Sequence, residues 1–285
     1  MDHNESRQTV QRICLEILEE IIVFCEKHQI EYFMMYGSLI GAVRHGGMIP
    51  WDDDIDIAMT RKNYLRFIEC VRNDGSELLR RNEMKINGSG STKYVSEAKI
   101  GRRGTKYCSK IGEDLDINSQ ITVDIFCVDY LKASYIKHIN QYNLLRRFLS
   151  FSKLNWQEKL FLIRVFKQHK NPLKYLFIIG LYLIHPLRLI FTEKGIERLI
   201  YKMAVDSTGE SKYMGIVCGV RRPLYFSSAF SLKKVKYDNI NVLIPSNYDE
   251  ILTFIYGDYM TLPPENERYG RDKTDFVLEV NDTKG

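Results

Sequence analysis

The sequence lacks most of the features that would make it easy to classify. Its six cysteines never lie close together, so no zinc-binding or redox spacing is present. Several sit in apolar runs, where a free thiol behaves as a small hydrophobe, and this points to reduced cysteines and a cytoplasmic setting. No Gly-, Ser- or Pro-rich stretch marks a linker, and no internal repeat or low-complexity tract occurs. The amino-terminal MDHNESRQTVQ is polar and offers no apolar h-region, so a signal peptide is not expected. The longest apolar run, Tyr175 to Ile184, has ten residues, about half of the roughly 20 that a bilayer-spanning helix needs.

What is present suffices for an ordinary folded core. The chain has 285 residues, of which 45% are hydrophobic. Its net charge of +5 hides an asymmetry. Lys132 to Lys202 holds fourteen Lys/Arg against three Asp/Glu, a local +11, and the rest of the chain comes to −6. A basic segment on an acidic body points to a negatively charged surface or partner. Lys167, Lys170, Lys174, Arg188 and Lys194 flank the apolar run 175–184, an arrangement suited to the face of an anionic membrane. The alternative is a buried helix pair with a solvated basic exterior. No nucleic-acid recognition motif accompanies the basic residues, so no nucleic-acid partner is expected.

Periodicity sketches the elements. Val10, Ile13, Ile17, Leu18, Ile21, Phe24 and Cys25 recur at helical spacing, with Ser6 or Thr9 as an N-cap. Tyr32 to Tyr36 reads as a strand, Leu39 to Val43 as a short helix and Asp54 to Met59 as a second strand. Thr60 then caps a helix with Tyr64, Phe67, Ile68 and Val71 inside. Met84 to Lys110 reads as strands and loops, and Ile121 to Val128 as a strand. Helical spacing runs from about Ser134 to Val205, and short strands and turns follow from Lys212 to Ile244. Tyr248 to Tyr256 reads as a helix with Gly257 at an αL stop. The order predicts an α/β or α+β core interrupted by a helical insertion.

The chemistry is concentrated in YGSLIGAVRHGGMIPWDDDIDIAM, Tyr36 to Met59. Aspartate is unfavourable in strands, yet Asp54 and Asp56 lie in one. Alternation places Asp52, Asp54 and Asp56 on one face and Asp53, Ile55 and Ile57 on the other. Carboxylates so close repel one another, and no Lys or Arg alternates with them. A divalent cation is the natural counter-charge, and oxygen-only ligands favour magnesium, manganese or calcium over zinc. Asp124, amid Ile121, Val123, Ile125, Phe126 and Val128, is expensive to bury unless paired or metal-bound. It completes a triad if its strand lies beside that of Asp54 and Asp56; otherwise it faces water from an edge strand. Asp129 reads as a turn residue. Gly37 and Ser38 open a short helix where backbone N–H groups attract anions, and Arg44 and His45 are either phosphate ligands or surface residues.

Strand, Gly-Ser, short helix, Asp-x-Asp and distant Asp together resemble the nucleotidyltransferase fold. YGSLIGAVRHGGMIPWDDDIDIAM, ITVDIFCVD and IPSNYDEILTFIYGDYMTLPPENER closely resemble the LicD family, which includes bacterial phosphocholine transferases and fukutin-related ribitol-phosphate transferases. These blocks span Tyr36 to Arg268. The resemblance implies an α+β, nucleotidyltransferase-like mixed-sheet core. It assigns Asp54 and Asp56 to the metal pair, Asp52 as an adjacent acid, Asp124 as the third carboxylate, and Gly37 and Ser38 to the donor phosphate. The chain departs from the family pattern at Cys127, where proline is usual, and after Arg268, where Tyr269, Gly270 and Arg271 stand in place of an early histidine.

The implied organisation is a catalytic core over 1–131, a basic helical insertion over 132–205 and a part completing the same domain over 206–285. The implied reaction is Mg2+- or Mn2+-dependent transfer of a phospho-alcohol from a CDP-linked donor to a sugar hydroxyl. The alcohol is choline, glycerol or ribitol. The acceptor is a cell-surface glycan (lipopolysaccharide, teichoic acid or capsule), possibly carried on a lipid at the cytoplasmic face of the inner membrane. Two other readings use the same fold: transfer of a nucleotide monophosphate to a sugar, protein or RNA, with pyrophosphate leaving, and a non-catalytic scaffold in a polysaccharide-assembly complex.

Overall fold

The protein was analysed as a computed structural model, which describes residues 3–86, 97–109, 120–141, 180, 183, 193–217, 224–225, 230–268 and 276–280. The first helix, α1 (His3–Lys27), places Val10, Cys14, Ile17, Leu18, Ile21 and Cys25 in the core with no exposed surface. Their i, i+3/i+4 spacing makes one continuous apolar stripe. Neither Ser6 nor Thr9 caps it, because the helix is already running at His3; the Thr9 hydroxyl instead donates back to the Glu5 carbonyl at 2.9 Å. The strand expected over 32–36 shortens to β1 (Phe33–Met34), and a helical segment follows at once, α2 (Tyr36–Ile40) continuing into a π turn at Gly41–His45.

β2 (Ile55–Thr60) leads directly into α3 (Arg61–Asp74), whose Tyr64, Phe67, Ile68 and Val71 are buried as the periodicity requires. Phe24 of α1 meets Phe67 of α3 edge-on at 5.7 Å, so the two helices pack together against the sheet. Strands β3 (Asn82–Ile86), β4 (Glu97–Arg102), β5 (Thr105–Ser109) and β6 (Thr122–Tyr130) follow. α4 (Ala133–Lys137), α5 (Glu193–Ala204), β7 (Tyr213–Gly215) and β8 (Leu224–Tyr225) come next. The chain then forms β9 (Leu232–Tyr237), β10 (Ile240–Pro245), α6 (Tyr248–Tyr256) and β11 (Phe276–Val280).

The main sheet runs β1-β2-β6-β4-β3, with β7 and β8 added beyond the end of β6. Among the described residues only β2 and β6 pair in parallel; the other pairings are antiparallel, including the β9–β10 hairpin and the β5–β11 pair. This is an α+β fold with a mixed sheet, as expected. β6 lies between β2 and β4, so Asp124 is in an interior strand and not on an edge.

Most of the basic segment 132–205, including the apolar run 175–184 apart from Gly180 and Leu183, falls outside the described residues. Its two ends meet. Leu131 bridges Val205, the Lys132 N–H donates to the Ala204 carbonyl at 2.8 Å, and Leu131, Tyr135, Ile200, Ala204 and Val217 form a small core of their own. The chain thus leaves and returns at one point. No helix among the described residues is long and apolar enough to cross a membrane.

Two local expectations need correction. Gly257 has positive φ after α6, but its ψ of −125° lies outside the αL basin, so the stop is a glycine-only extended turn. Asp129 is no turn residue: it lies within β6, is buried, and forms a two-pronged ion pair with Arg61 (Nε–Oδ1 3.0 Å, Nη2–Oδ2 2.5 Å). Arg61, at the start of α3, supplies the counter-charge that makes a buried aspartate tolerable. Asp129→Asn removes the carboxylate charge facing that guanidinium, of whose side chain 14% is exposed. A loss of about 3 kcal/mol is expected in urea denaturation; a loss below about 1 kcal/mol, the range of exposed pairs, would show that the pair is a surface one in energetic terms.

Candidate active site

The parallel pairing of β2 with β6 sets Asp56 opposite Asp124, and the β4–β6 pairing sets Lys99 opposite Asp124. Three charged side chains therefore share one sheet face on adjacent strands. Ile55 and Ile57, on the alternate face, have no exposed surface. Asp52 and Asp54 sit in the extended approach to β2, and Asp52, Asp53 and Asp54 each present a carboxylate oxygen within 4.8 Å of the others. Asp53, which alternation placed on the face opposite Asp52 and Asp54, instead joins them in this group, while Asp56 and Asp124 stand side by side in register on the adjacent strands.

The sequence reading did not anticipate Asp53 or Lys99. Asp53 is buried, accepts the Tyr107 hydroxyl at 2.7 Å and anchors the cluster from below. Lys99 places its ammonium 2.5 Å from Asp124 Oδ2 and 3.4 Å from Glu97 Oε1. Thr122 donates to the other Asp124 oxygen at 3.0 Å. Lys99 lies in a stretch whose only legible signal was polarity, and its place opposite Asp124 depends on a strand register that no local pattern encodes.

Gly37 and Ser38 act on the same cluster from α2. A Cβ at Gly37 would lie 2.8 Å from Asp52 Oδ2, so only glycine admits this approach. The buried Ser38 hydroxyl accepts the Asp56 N–H at 2.8 Å and is hydrogen-bonded with the Tyr237 phenol. In this arrangement Ser38 positions Asp56. Arg44 and His45, at the far end of the π turn, stand apart. Arg44 Nη1 donates to the carbonyls of Tyr259 at 2.6 Å and Thr261 at 3.4 Å, and the His45 ring meets Trp51 edge-on at 5.8 Å.

Electrostatics mark the cluster as charge-frustrated. Burial first, then the charges of Asp54 and Asp53, push Asp52 up to about 7, against the pull of the Asp53 N–H. A side-chain hydrogen bond between Asp52 and Asp54 requires a proton on one of them. Burial likewise drives Asp56 well above the carboxylate range, aided by Asp54, Asp124 and Asp52 and opposed by Lys99. One ammonium cannot balance Asp52, Asp54, Asp56 and Asp124 together. Oxygen-only donors carrying surplus negative charge fit a hard divalent cation such as Mg2+ or Mn2+.

The LicD/FKTN/FKRP nucleotidyltransferase domain matches residues 29–186. The chain belongs to this family, and with it to the transferases of phosphorus-containing groups. Among its relatives, the lipopolysaccharide cholinephosphotransferase LicD of Haemophilus influenzae is 28% identical over 268 residues, covering 90% of this chain and 92% of that protein. The ribitol 5-phosphate transferases FKRP of Homo sapiens and Mus musculus are each 40% identical over 50 residues, 16% of this chain and 10% of theirs.

The raised Asp52 carboxyl has a consequence for stability. It keeps its proton in the folded state above the ordinary value of 3.8, so its contribution is complete below that pH and is lost as pH rises through about 7. Asn at this position does not titrate. In chelator, the stability of Asp52→Asn relative to wild type should therefore rise as pH increases from 3.8 to about 7, measured by urea denaturation across that window. A gap independent of pH would show that Asp52 is not under this pressure.

Proposed function

We propose that this protein transfers a phospho-alcohol, phosphocholine first among them or else glycerol or ribitol phosphate, from a CDP-linked donor to a sugar hydroxyl of a cell-surface glycan. The observation that carries this reading is the in-register pair Asp56–Asp124 with Asp52 and Asp54 beside it. The near full-length likeness to a lipopolysaccharide cholinephosphotransferase supports the substrate class. Residues 1–131 and 206–285 form the catalytic domain in this reading, and 132–205 is its insertion.

Asp52, Asp54, Asp56 and Asp124 would hold Mg2+ or Mn2+, which when bound neutralises charge on the donor's phosphate oxygens and on the leaving CMP. Gly37 keeps the backbone close beside Asp52, and Ser38 fixes the strand that carries Asp56. Asp124 takes the proton of the acceptor hydroxyl. The acceptor oxygen forms a new bond to the phosphorus bearing the alcohol as the bond from that phosphorus to CMP breaks. A phosphodiester and CMP result, and the proton passes from Asp124 to solvent. Lys99 holds Asp124 in place. The acceptor is carried on a lipid, and the basic segment brings the enzyme to the anionic cytoplasmic face of the inner membrane.

The direct test is incubation with Mg2+, a glycan acceptor and a panel of CDP-choline, CDP-glycerol and CDP-ribitol. CMP release is expected with one of the three, and chelator abolishes it. Pyrophosphate release from a nucleoside triphosphate would replace this reading with nucleotidyl transfer, and the absence of any turnover would favour the scaffold. Asp54→Asn and Asp56→Asn should each lower turnover by more than about a hundredfold, the ceiling for losing an outer-shell partner, while stability in chelator holds or rises. Wild-type activity in either would defeat the metal assignment.

Asp124→Asn separates chemistry from binding. It should lower kcat by about a hundredfold or more, with a much smaller change in the donor KM, because its role arises as the acceptor oxygen attacks. A donor KM raised in proportion, with kcat unchanged, would make Asp124 a donor-binding group only.

A further inference from the structure

Beside the carboxylate cluster lies a second group of charges with the opposite problem. Arg44 ends the π turn after α2, and Arg268 follows the 3-10 turn at Glu265–Glu267, yet both anchor on one short stretch, Arg44 on the carbonyls of Tyr259 and Thr261 and Arg268 on that of Pro263, and Arg268's charge lowers the pKa of Arg44 after burial. Among the described residues neither guanidinium is paired with a carboxylate. Each is held by backbone carbonyls instead: Arg44 by Tyr259 and Thr261, and Arg268 by Pro263, to which its Nε donates at 2.8 Å.

Carbonyls fix a guanidinium in place without cancelling its charge. The two terminal nitrogens of Arg268 donate to no group among the described residues, and Arg44 spends only Nη1 on carbonyls and Nε on a long contact of 3.5 Å to His45 Nδ1. Each therefore keeps N–H groups for a ligand. Trp51, next to Asp52 in the chain, carries both contacts of this group: the Arg268 guanidinium lies 5.5 Å from the indole centroid, and the His45 ring meets the same indole edge-on. Arg44 lies six residues beyond Ser38, about 9 Å along the helix axis at 1.5 Å per residue. That is a separate subsite within reach of one bound substrate.

We propose that Arg44 and Arg268, framed by Trp51 and His45, form an oxyanion subsite that binds a phosphate-type group of a substrate independently of the metal. Two pre-positioned forks match the oxygens of a phosphate, and the indole face gives the Arg268 guanidinium a cation–π contact. The proposal rests on the transferase reading only for which substrate brings the oxyanion, donor or acceptor. It also gives the PPENER segment a function at the site, although the residues after Arg268 depart from the family pattern.

Calorimetric titration of the full chain with inorganic phosphate in chelator tests it, since without metal the carboxylate cluster repels anions. Wild type should bind, Arg268→Gln should weaken binding about tenfold, and Arg268→Lys should recover only part of it, because an ammonium lacks the fork. Arg44→Gln should behave like Arg268→Gln; should it fail to fold, for loss of its tie to Tyr259, the half-exposed Arg268 carries the test alone. Wild type without phosphate binding, or Arg268→Gln binding as tightly as wild type, overturns the subsite. In turnover, Arg268→Gln raises the donor KM if the donor brings the oxyanion and the acceptor KM if the acceptor does. Phosphate binding without CMP release would refute the transferase reading alone, and CMP release without Arg268-dependent phosphate binding would refute the subsite alone.

Discussion

The pairing of β2 with β6 is the constraint on which the site depends. It is the one parallel contact among the described strands, and its register decides that Asp56 meets Asp124. A slip of one residue would turn one of these carboxylates toward the apolar face. The register is secured on both sides. Ile55, Ile57, Val123 and Ile125 are fully buried on the alternate face, and the Ser38 hydroxyl grips the Asp56 N–H from α2. Apolar burial thereby holds like charges together against their repulsion.

The same two strands treat aspartate in two ways. At the C-terminal end of β6, Asp129 is neutralised by a guanidinium from the next helix, and the pair is closed. Toward the other end, the Lys99 ammonium lies between Asp124 and Glu97, and burial together with neighbouring carboxylates drives Asp52 and Asp56 upward. Equal residue types in equal strands thus close an ion pair at one end and crowd like charges at the other. Counter-charge, rather than burial alone, distinguishes them.

Much of this was legible in the sequence, because it rests on local pattern. The stripe on α1, the inner face of α3 and the burial of Ile55 and Ile57 are readable from spacing alone, whereas strict alternation put Asp53 on the face opposite Asp52 and Asp54, with which it in fact clusters. Lys99, Tyr107 and the partner of Asp129 were not legible, since each depends on which strands become neighbours. Lys99 lies 25 residues from Asp124, and Tyr107 lies 54 from Asp53. Composition misled at Asp129, whose position next to Tyr130 and Leu131 looked like a strand end. Caps misled at Ser6 and Thr9, because the helix already begins at His3, upstream of both.

Tyr36 stands where the short strand turns into α2, with φ at +49°, a backbone conformation costly for a bulky side chain. Its ring is nonetheless held edge-on against Phe126 at 5.7 Å, next to the strand position that bears the third carboxylate. Glycine at Tyr36 would relax the backbone while removing the ring that packs on Phe126 of β6. A search for thermostable variants would be drawn to this position, and variants selected there for rigidity alone would trade away alignment of the reacting groups. The strained tyrosine is thus a place where selection for durability and selection for turnover pull in opposite directions.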